Sequence, residues 1–133
     1  MEKCIFCKIV KEEIPSYKIY EDDFAIAILD AFPCVKGQAL IIPKKHVSPS
    51  FLDLNEEDYT KLMLITKKIA KAIDKSVDCV KTGLMVEGLE LNHVHIKVFP
   101  LSKIGFSEYP KTLDPKPRNE EMKDILEKIK KEL

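Results

Sequence analysis

The eight residues HVHIKVFP at 93–100 limit the possible folds of this chain more than any other segment. Apolar and polar side chains alternate along them, and a period of two is typical of a β-strand with one buried face. The polar face would carry His93, His95 and Lys97, and so two of the three histidines in the chain. Pro100 should end the strand, because proline has no N–H to donate to the ladder. The segment therefore predicts a strand that presents a candidate site on a sheet.

Length and charge favour one globular domain, residues 1–133. The chain is 45% hydrophobic and 33% charged, with a formal net charge of +0. A neutral chain is not drawn to nucleic acid or anionic lipid, and no apolar run approaches the ~20 residues that span a membrane. The first residues lack the apolar core and cleavage site of a signal peptide, so we expect a cytoplasmic protein. Its cysteines should then be thiols or metal ligands rather than disulfides, with Cys34 and Cys79 buried as small apolar residues.

Five segments have the composition of strands, and turn residues separate them. They are residues 17–20, 24–29, 39–42, 84–86 and the stretch that begins at His93. Short loops between them favour antiparallel pairing. The order of elements predicts an α+β fold, with an antiparallel five-stranded sheet, one long helix and a C-terminal helix.

Helical segments accompany these strands. Residues 4–11 should form one or two short turns, and Asp53 or Asn55 can cap the long helix. Its apolar stripe at helical spacing predicts core contacts and consists of Tyr59, Leu62, Met63, Ile69, Ala70 and Ile73. Asn119 should cap the last helix, and residues 101–118 before it contain three prolines and should be irregular. The stripe of that helix is Met122, Ile125, Leu126, Ile129 and Leu133.

Cys4 and Cys7 form a C-x-x-C pair that could chelate a metal. Thiolates suit zinc, and a structural zinc site has four ligands. His46 and His93 are the candidates to complete a Cys2His2 set. A rival scheme places His93 and His95 on a catalytic zinc, which would need a third protein ligand and an open water position. An incidental or redox C-x-x-C is the alternative to both schemes.

His95 is the candidate nucleophile or general base if His93 binds a metal. Imidazole has a pKa near ~6.5 and is largely neutral at cellular pH. A backbone carbonyl that accepts from Nδ1–H would direct Nε2 at a substrate. Lys97 is a cation that could hold a phosphate. Neither a nucleophile-elbow serine nor a phosphate-binding glycine pattern is present, and a solvated sheet edge is the alternative interpretation of these residues.

Six segments of the chain resemble, in order, those of the histidine-triad (HIT) family of nucleotide hydrolases and transferases. The resemblance extends over residues 4–100 and leaves 101–133 as a C-terminal extension. Each segment is weak alone, but the ordered set is specific. The segments are CIFCKIV at 4–10, EIP at 13–15, YEDD at 20–23, LD at 29–30, IIPKKH at 41–46 and HVHIKVFP at 93–100.

The resemblance implies a residue-by-residue assignment of the site. His95 would attack the α-phosphate of a purine dinucleoside polyphosphate or nucleotide phosphoramidate, and water or another acceptor would resolve the nucleotidyl-histidine. Asp30 would contact the ribose hydroxyls, and Phe6 and Ile9 would hold the base. A structural zinc would bind the matching positions Cys4, Cys7, His46 and His93. The family fold is an antiparallel sheet with a long helix, and members are usually homodimers.

Two departures from the family pattern bear on activity. Lys97 stands where the third histidine of the triad is expected, and lysine binds phosphate but is a poor general acid at neutral pH. Residues 88–92, GLELN, replace the usual small polar donors. Asn92 is the candidate for one phosphate donor, whereas Glu90 would repel phosphate unless it points away. A nucleotide-binding or regulatory module with little catalysis is therefore the alternative function, and a metalloenzyme using His93 and His95 is a third.

Overall fold

A computed structural model describes residues 3–102, 109 and 111–133, and these residues contain a five-stranded antiparallel sheet and three α-helices. The strands lie in the order β1-β2-β3-β5-β4 across the sheet. This arrangement confirms the predicted α+β fold. The elements are α1 (Ile5–Val10), β1 (Tyr17–Glu21), β2 (Ala25–Leu29), β3 (Ala39–Pro43), α2 (Glu56–Ser76), β4 (Lys81–Met85), β5 (Ile96–Leu101) and α3 (Asn119–Lys131).

The strand predicted from residue 93 begins later and ends later in the structure. β5 starts at Ile96, so His93 and His95 lie in the segment that leads into it. Pro100 lies within β5 opposite Thr82 of β4. β3 pairs with β5 only as far as Val98, so the missing N–H of Pro100 interrupts no ladder on that side. The predicted end at Pro100 was therefore wrong.

The strand predicted at 84–86 lies further upstream, at Lys81–Met85. β4 is an edge strand with mostly exposed or half-exposed residues. Its first three residues, Lys81, Thr82 and Gly83, carry little apolar signal, yet they pair with β5. Pairing rather than side-chain burial defines this strand, and that is why the pattern missed its start.

One face of the sheet packs against α2 and α3 and forms the larger core. Asn55 caps α2, because its side chain accepts a hydrogen bond from the Asp58 N–H. Tyr59, at the start of the predicted stripe, is exposed. The buried members of this core are Ile19, Ala25, Ala27, Leu29, Ala39, Ile41, Leu62, Ile69, Ala72, Ile73, Ile96, Val98, Met122 and Ile129.

The C-terminal helix departs from its prediction at both ends. Arg118 occupies the cap position and Asn119 is the first helical residue. The Asn119 side chain instead accepts a hydrogen bond from the Tyr17 hydroxyl, at 2.7 Å, so a contact with β1 takes it from the cap role. Leu133 follows the helix and is exposed. Cys34 is buried as predicted, whereas Cys79 is only half-buried beside Asp74 and Thr82.

The opposite face of the sheet packs against α1. Phe6 and Ile9 of this short helix contact the apolar residues of β2 and β3 that point away from the larger core, namely Ile26, Ile28, Leu40 and Ile42. Every residue of β2 and β3 is buried, because helices cover both faces. This second layer places Cys4 and Cys7 next to the segment that contains both site histidines.

The residues before α3 have no regular structure over 111–118, as predicted, and most of 101–110 lies outside the described residues. The Leu113 N–H donates to the Pro33 carbonyl at 2.8 Å, which holds this segment beside the loop after β2. In the described ranges, no helix is both long and apolar enough to cross a membrane.

Candidate functional site

Four residues that the sequence proposed as metal ligands come together in one cluster. Cys4, Cys7, His46 and His93 each offer one ligand atom, and these atoms lie within 4.8 Å of one another. Sγ of Cys4 is 3.3 Å from Nδ1 of His93, and Sγ of Cys7 is 3.3 Å from Nδ1 of His46. Sγ of Cys7 also lies 3.5 Å from Nδ1 of His93. We call this group the Cys2His2 cluster.

The second ring nitrogen of His93 fixes the orientation of that imidazole. Nε2 lies 2.8 Å from the carbonyl oxygen of Pro43. A carbonyl can only accept, so Nε2 carries the proton and Nδ1 offers its lone pair to the thiols. A metal-binding histidine commonly donates its other N–H to a carbonyl in this way. Burial lowers the pKa of His93, which keeps the ring neutral, as a metal ligand must be.

The donor set fits a tetrahedral zinc ion. Two thiol sulfurs and two imidazole nitrogens are the ligands of a structural zinc site. Burial, followed by the effect of the neighbouring Cys4, raises the pKa of the Cys7 thiol to about 11. A bound cation reverses that effect, since a coordinating thiol is deprotonated outright. His95 does not belong to the cluster, so the structure does not support the rival scheme with His93 and His95 on one ion.

His95 is held in the opposite orientation to His93. Its Nδ1 lies 2.9 Å from the carbonyl oxygen of His93, so Nδ1 carries the proton and Nε2 has the lone pair. The Phe6 ring packs edge-on against the imidazole, with centroids 4.8 Å apart. Burial is also the main cause that lowers the pKa of His95. The ring is therefore fixed, neutral and of the tautomer that a nucleophilic Nε2 requires.

The three polar residues of the HVHIKVFP segment, which we call the signature, are buried. Their burial contradicts a solvated sheet edge. His93, His95 and Lys97 are 0%, 2% and 7% exposed. His95 borders a cavity of about 430 Å³ between α1, the loop after β2 and the side chains of Tyr109 and Thr112. Phe6 and the cavity walls cover the imidazole ring of His95. A ligand therefore reaches it only from inside the cavity.

Four of the residues proposed to bind a nucleotide line this cavity with His95. They are Phe6, Ile9, Asp30 and Lys97. A cavity with apolar walls and a few convergent polar groups is typical of a small-molecule site.

The Asp30 carboxylate is fixed by two hydrogen bonds. Its Oδ1 accepts from the Phe32 N–H and its Oδ2 from Nε2 of Gln38, both at 2.9 Å. Gln38 is buried and also accepts from the Cys34 N–H at 2.6 Å. Burial raises the pKa of Asp30. A rigid carboxylate with remaining lone pairs can accept hydrogen bonds from a ligand that carries hydroxyl groups.

Lys97 has two partners that the sequence did not suggest. Its Nζ donates to Oε1 of Glu87 at 2.9 Å and to the Tyr109 hydroxyl at 3.0 Å. Burial favours the neutral amine, but the hydrogen bonds to Glu87 and Tyr109 outweigh it and raise the pKa of Lys97. Burial likewise opposes ionisation of Glu87, yet Lys97 holds the pKa of this carboxyl below its usual value. We call these three residues the Lys97 cluster.

Asn92 and Glu90, the polar residues just before the signature, do not lie where phosphate binding would favour them. The His93 N–H donates to the Leu91 carbonyl at 2.9 Å, and this tight turn directs Leu91 to the cavity. Asn92 is exposed and is not among the residues that line the cavity, so its proposed donor role has no support here. Glu90 is exposed but lies at the cavity rim, so it does not point away as phosphate binding would favour.

Glu87, Tyr109 and Gln38 are the site residues that the sequence analysis missed. Met85 pairs with Lys97, so Glu87, two residues further along, lies beside residues 93–97, but the sequence does not reveal this strand register. Gln38 directly precedes β3 and faces Asp30 across the β2–β3 connection. No sequence pattern links Tyr109 to Lys97, which lies 12 positions earlier in the chain.

Comparison with known proteins first defines the class. The fold is similar to that of a Zn-bound histidine triad family protein from Mycobacterium smegmatis, with a TM-score of 0.77 at 26% identity. The match covers 98% of this chain and 95% of that one. The chain is thus a small α+β protein with the histidine-triad architecture.

The sequence comparisons identify the family itself. A family model described as HIT domain matches residues 11–104, and the chain belongs to the HIT family. It is 40% identical over 98 residues to an adenosine 5′-monophosphoramidase of Saccharomyces cerevisiae, covering 73% of this chain and 61% of the yeast protein. It is 34% identical over 102 residues to an adenylylsulfatase of Arabidopsis thaliana, covering 73% and 51% of the two chains. Nucleotide hydrolysis therefore occurs among its relatives.

Proposed function

We propose that this protein is a nucleotide phosphohydrolase or nucleotidyltransferase that acts on the α-phosphate of a purine nucleotide through His95. The substrates would be dinucleoside polyphosphates or related nucleotide conjugates such as phosphoramidates. One observation carries the proposal: the His93 carbonyl accepts from Nδ1 of His95, and the same ring borders a cavity that also contains Asp30 and Lys97. The activities of the two enzyme relatives agree with it.

The proposed reaction has two displacements at phosphorus. Nε2 of His95 bonds to the α-phosphorus, and the bond from phosphorus to the leaving group breaks with its electron pair on the leaving group. Water or another acceptor then bonds to phosphorus, and the P–N bond breaks with its electron pair returned to Nε2. The water proton is lost to solvent. Phe6 and Ile9 would hold the base and Asp30 the ribose, with Lys97 near the phosphate.

A structural zinc in the Cys2His2 cluster is the second part of the proposal. Cys4, Cys7, His46 and His93 would hold the ion. Such an ion would link the N-terminal helix to the segment before β5, and a site of this kind contributes on the order of 10 kcal/mol. The thiols would stay reduced in the cytoplasm, which is the proposed location. A Zn-bound relative and the fit of the donors support this part.

A single-turnover experiment with a nucleotide labelled in the adenine ring tests the catalytic role. The protein in excess is mixed with the nucleotide, quenched in alkali to preserve a phosphoramidate bond, and digested for mass spectrometry. We expect an AMP adduct on the peptide that contains His95. The His95→Asn variant should give none, whereas Lys36→His, a matched change at the surface ion pair with Glu121, should label normally. Full turnover by the asparagine variant would overturn the proposal.

Two observations favour a nucleotide-binding module as the second candidate. His95 is only 2% exposed, and two donors of Lys97 are already used inside the protein. Such a module would bind the labelled nucleotide in equilibrium dialysis with neither adduct nor turnover. The same preparation thus separates the two functions.

We further infer a homodimer through the edge of β4. In the described part of the chain, β4 has a strand neighbour on one side only. Leu84 on this strand and Leu64 on α2 are 47% and 64% exposed, which gives this side of the molecule apolar surface. Light scattering should give twice the chain mass, and Leu64→Glu should shift the species toward the monomer. A monomeric wild type would contradict the inference.

A further inference from the structure

Lys97, which lines the cavity, forms an ion pair with Glu87, and both side chains have little exposure to solvent. The side chains are 8% and 16% exposed, and the nitrogen–oxygen distance is 2.9 Å. The Lys97 ammonium also lies 4.9 Å from the centre of the Tyr109 ring. Two of its three N–H donors are used within the Lys97 cluster. Among the residues that the structure describes, the third donor has no hydrogen-bond partner, so Lys97 can bind a phosphate oxygen without leaving its partners.

The same contacts prevent Lys97 from giving up a proton. A neutral amine would leave the partly buried Glu87 carboxylate without its counter-ion, and a stranded buried charge is unfavourable. The Tyr109 hydroxyl is no better as a donor, because burial raises its pKa. Within the described part of the chain, the other ionisable groups that sense the charge of Lys97 are Asp30 and His95. His95 enters the proposed reaction without a proton on Nε2.

Leaving groups differ in their need for a proton. An amine that leaves phosphorus needs a proton on nitrogen as the P–N bond breaks, because an amide anion is far too basic to depart. A sulfate, carboxylate or phosphate departs as a stable anion, and its oxygen keeps the electron pair of the P–O bond unprotonated. General acid catalysis is worth about 10²–10⁴-fold where a proton is needed.

We infer that the Lys97–Glu87 ion pair restricts this protein to nucleotides whose α-phosphorus carries an acidic oxygen leaving group, that is, to anhydrides of AMP rather than to its phosphoramidates. The inference rests on the proposed function and narrows its substrate class. Lys97 stabilises the charge on phosphate, and Glu87 is a positioning residue that fixes Lys97 in its charged form.

The test compares kcat/KM for adenosine 5′-phosphosulfate, diadenosine triphosphate and adenosine 5′-phosphoramidate. We expect both anhydrides to exceed the phosphoramidate by at least ~100-fold. Lys97→His introduces a group whose pKa is near neutrality, so the ratio should fall at least ~10-fold, mainly through faster phosphoramidate cleavage. Glu87→Gln removes the counter-ion and should lower the ratio in the same direction while substrate binding is kept. Lys36→His should leave the ratio unchanged.

The outcomes separate the inference from the function on which it rests. Equal rates for the anhydrides and the phosphoramidate, together with a His95 adduct, would overturn the restriction and leave the proposed function intact. A ratio that both Lys97→His and Glu87→Gln leave unchanged would also overturn it. Absence of an adduct with all three nucleotides would remove the proposed function and the inference with it. Glu87→Gln serves as the independent variant if Lys97→His fails to fold.

Discussion

His93 and His95 are two residues apart and have the same side chain, yet they belong to two different chemical environments. His93 donates from Nε2 to the Pro43 carbonyl and directs Nδ1 at the thiols of the Cys2His2 cluster. His95 donates from Nδ1 to the His93 carbonyl and borders the cavity. The comparison shows that the carbonyl available to each ring decides its tautomer, and that the tautomer decides its possible role.

The largest effects are expected from alanine variants of the two histidines. One variant should lose activity, and the other should lose stability. His95→Ala should reduce turnover by at least ~10³-fold, because the proposed nucleophile is lost, while the melting temperature stays within a few degrees of the wild type. His93→Ala should lower the melting temperature strongly, because it removes a proposed zinc ligand and opens a cavity beside Phe6. Steady-state kinetics and calorimetry on both variants check this contrast.

The distinction between the two histidines would be wrong if both variants changed turnover and melting temperature in the same way. A His95→Ala protein with normal turnover would show that the cavity histidine is not the nucleophile. A His93→Ala protein with an unchanged melting temperature would show that the Cys2His2 cluster does not stabilise the fold.

Metal removal should give the next largest effect. It should lower thermal stability through the Cys2His2 cluster that contains His93, without a direct effect on His95. Loss of a structural ion should remove much of the ~10 kcal/mol that such a site contributes, which lowers the melting temperature by more than ~10 °C in a domain of this size. Cys7→Ser should reproduce the loss, whereas Cys79→Ser, at a half-buried thiol outside the cluster, should not. Calorimetry with and without a chelator, together with elemental analysis, measures it. One zinc per chain that leaves without thermal effect would contradict the structural role.

The sequence predicted the fold and the Cys2His2 cluster well, since both depend on residue type and local periodicity. Alternating or wholly apolar runs predicted the strands, and few other residues in a chain with three histidines and four cysteines could bind a soft metal. Prediction was weaker where pairing or turns decide the outcome. β4 starts at Lys81 because it pairs with β5, and Asn92 is exposed because it lies at the centre of a tight turn from Leu91 to His93.

The electrostatic environment of the cavity was the part that the sequence could not predict. Lys97 was expected to hold a phosphate, and the sequence did not indicate that Glu87 and Tyr109 would accept hydrogen bonds from its ammonium group. The burial of His95 depends on Phe6, which lies in the N-terminal helix α1, far from His95 in the sequence. These contacts join residues 10 to about 90 positions apart, and single-sequence patterns contain no such distances.

A smaller effect should come from Asp30 and would sharpen the assignment of the cavity beside His95. Asp30→Asn removes the charge of a carboxylate that is fixed by Gln38 and the Phe32 N–H. If this group accepts from a ribose hydroxyl, KM should rise ~10-fold with little change in kcat, as expected for a charge-assisted hydrogen bond. Asp53→Asn, at an exposed carboxylate that accepts from Ser48, is the matched control. A change in kcat alone would assign Asp30 to the chemical step instead.

The smallest effect concerns the ion pair beside His95 and depends on pH. The pKa of Glu87 is lowered on folding from its ordinary 4.5, so its contribution to stability is present above that pH and is lost as the pH falls through the folded value. The pKa of Lys97 is raised from 10.5, so its contribution is present below that pH and is lost only as the pH rises through the higher folded value. Glu87→Gln should therefore lower the free energy of unfolding by about 1 kcal/mol near neutrality, with a smaller difference at pH 4 and below. Urea unfolding of both proteins across this range measures the difference. A difference that stays constant down to pH 3 would show that Glu87 acts through packing, and the Lys97 ammonium would then owe its position to Tyr109 and the cavity wall.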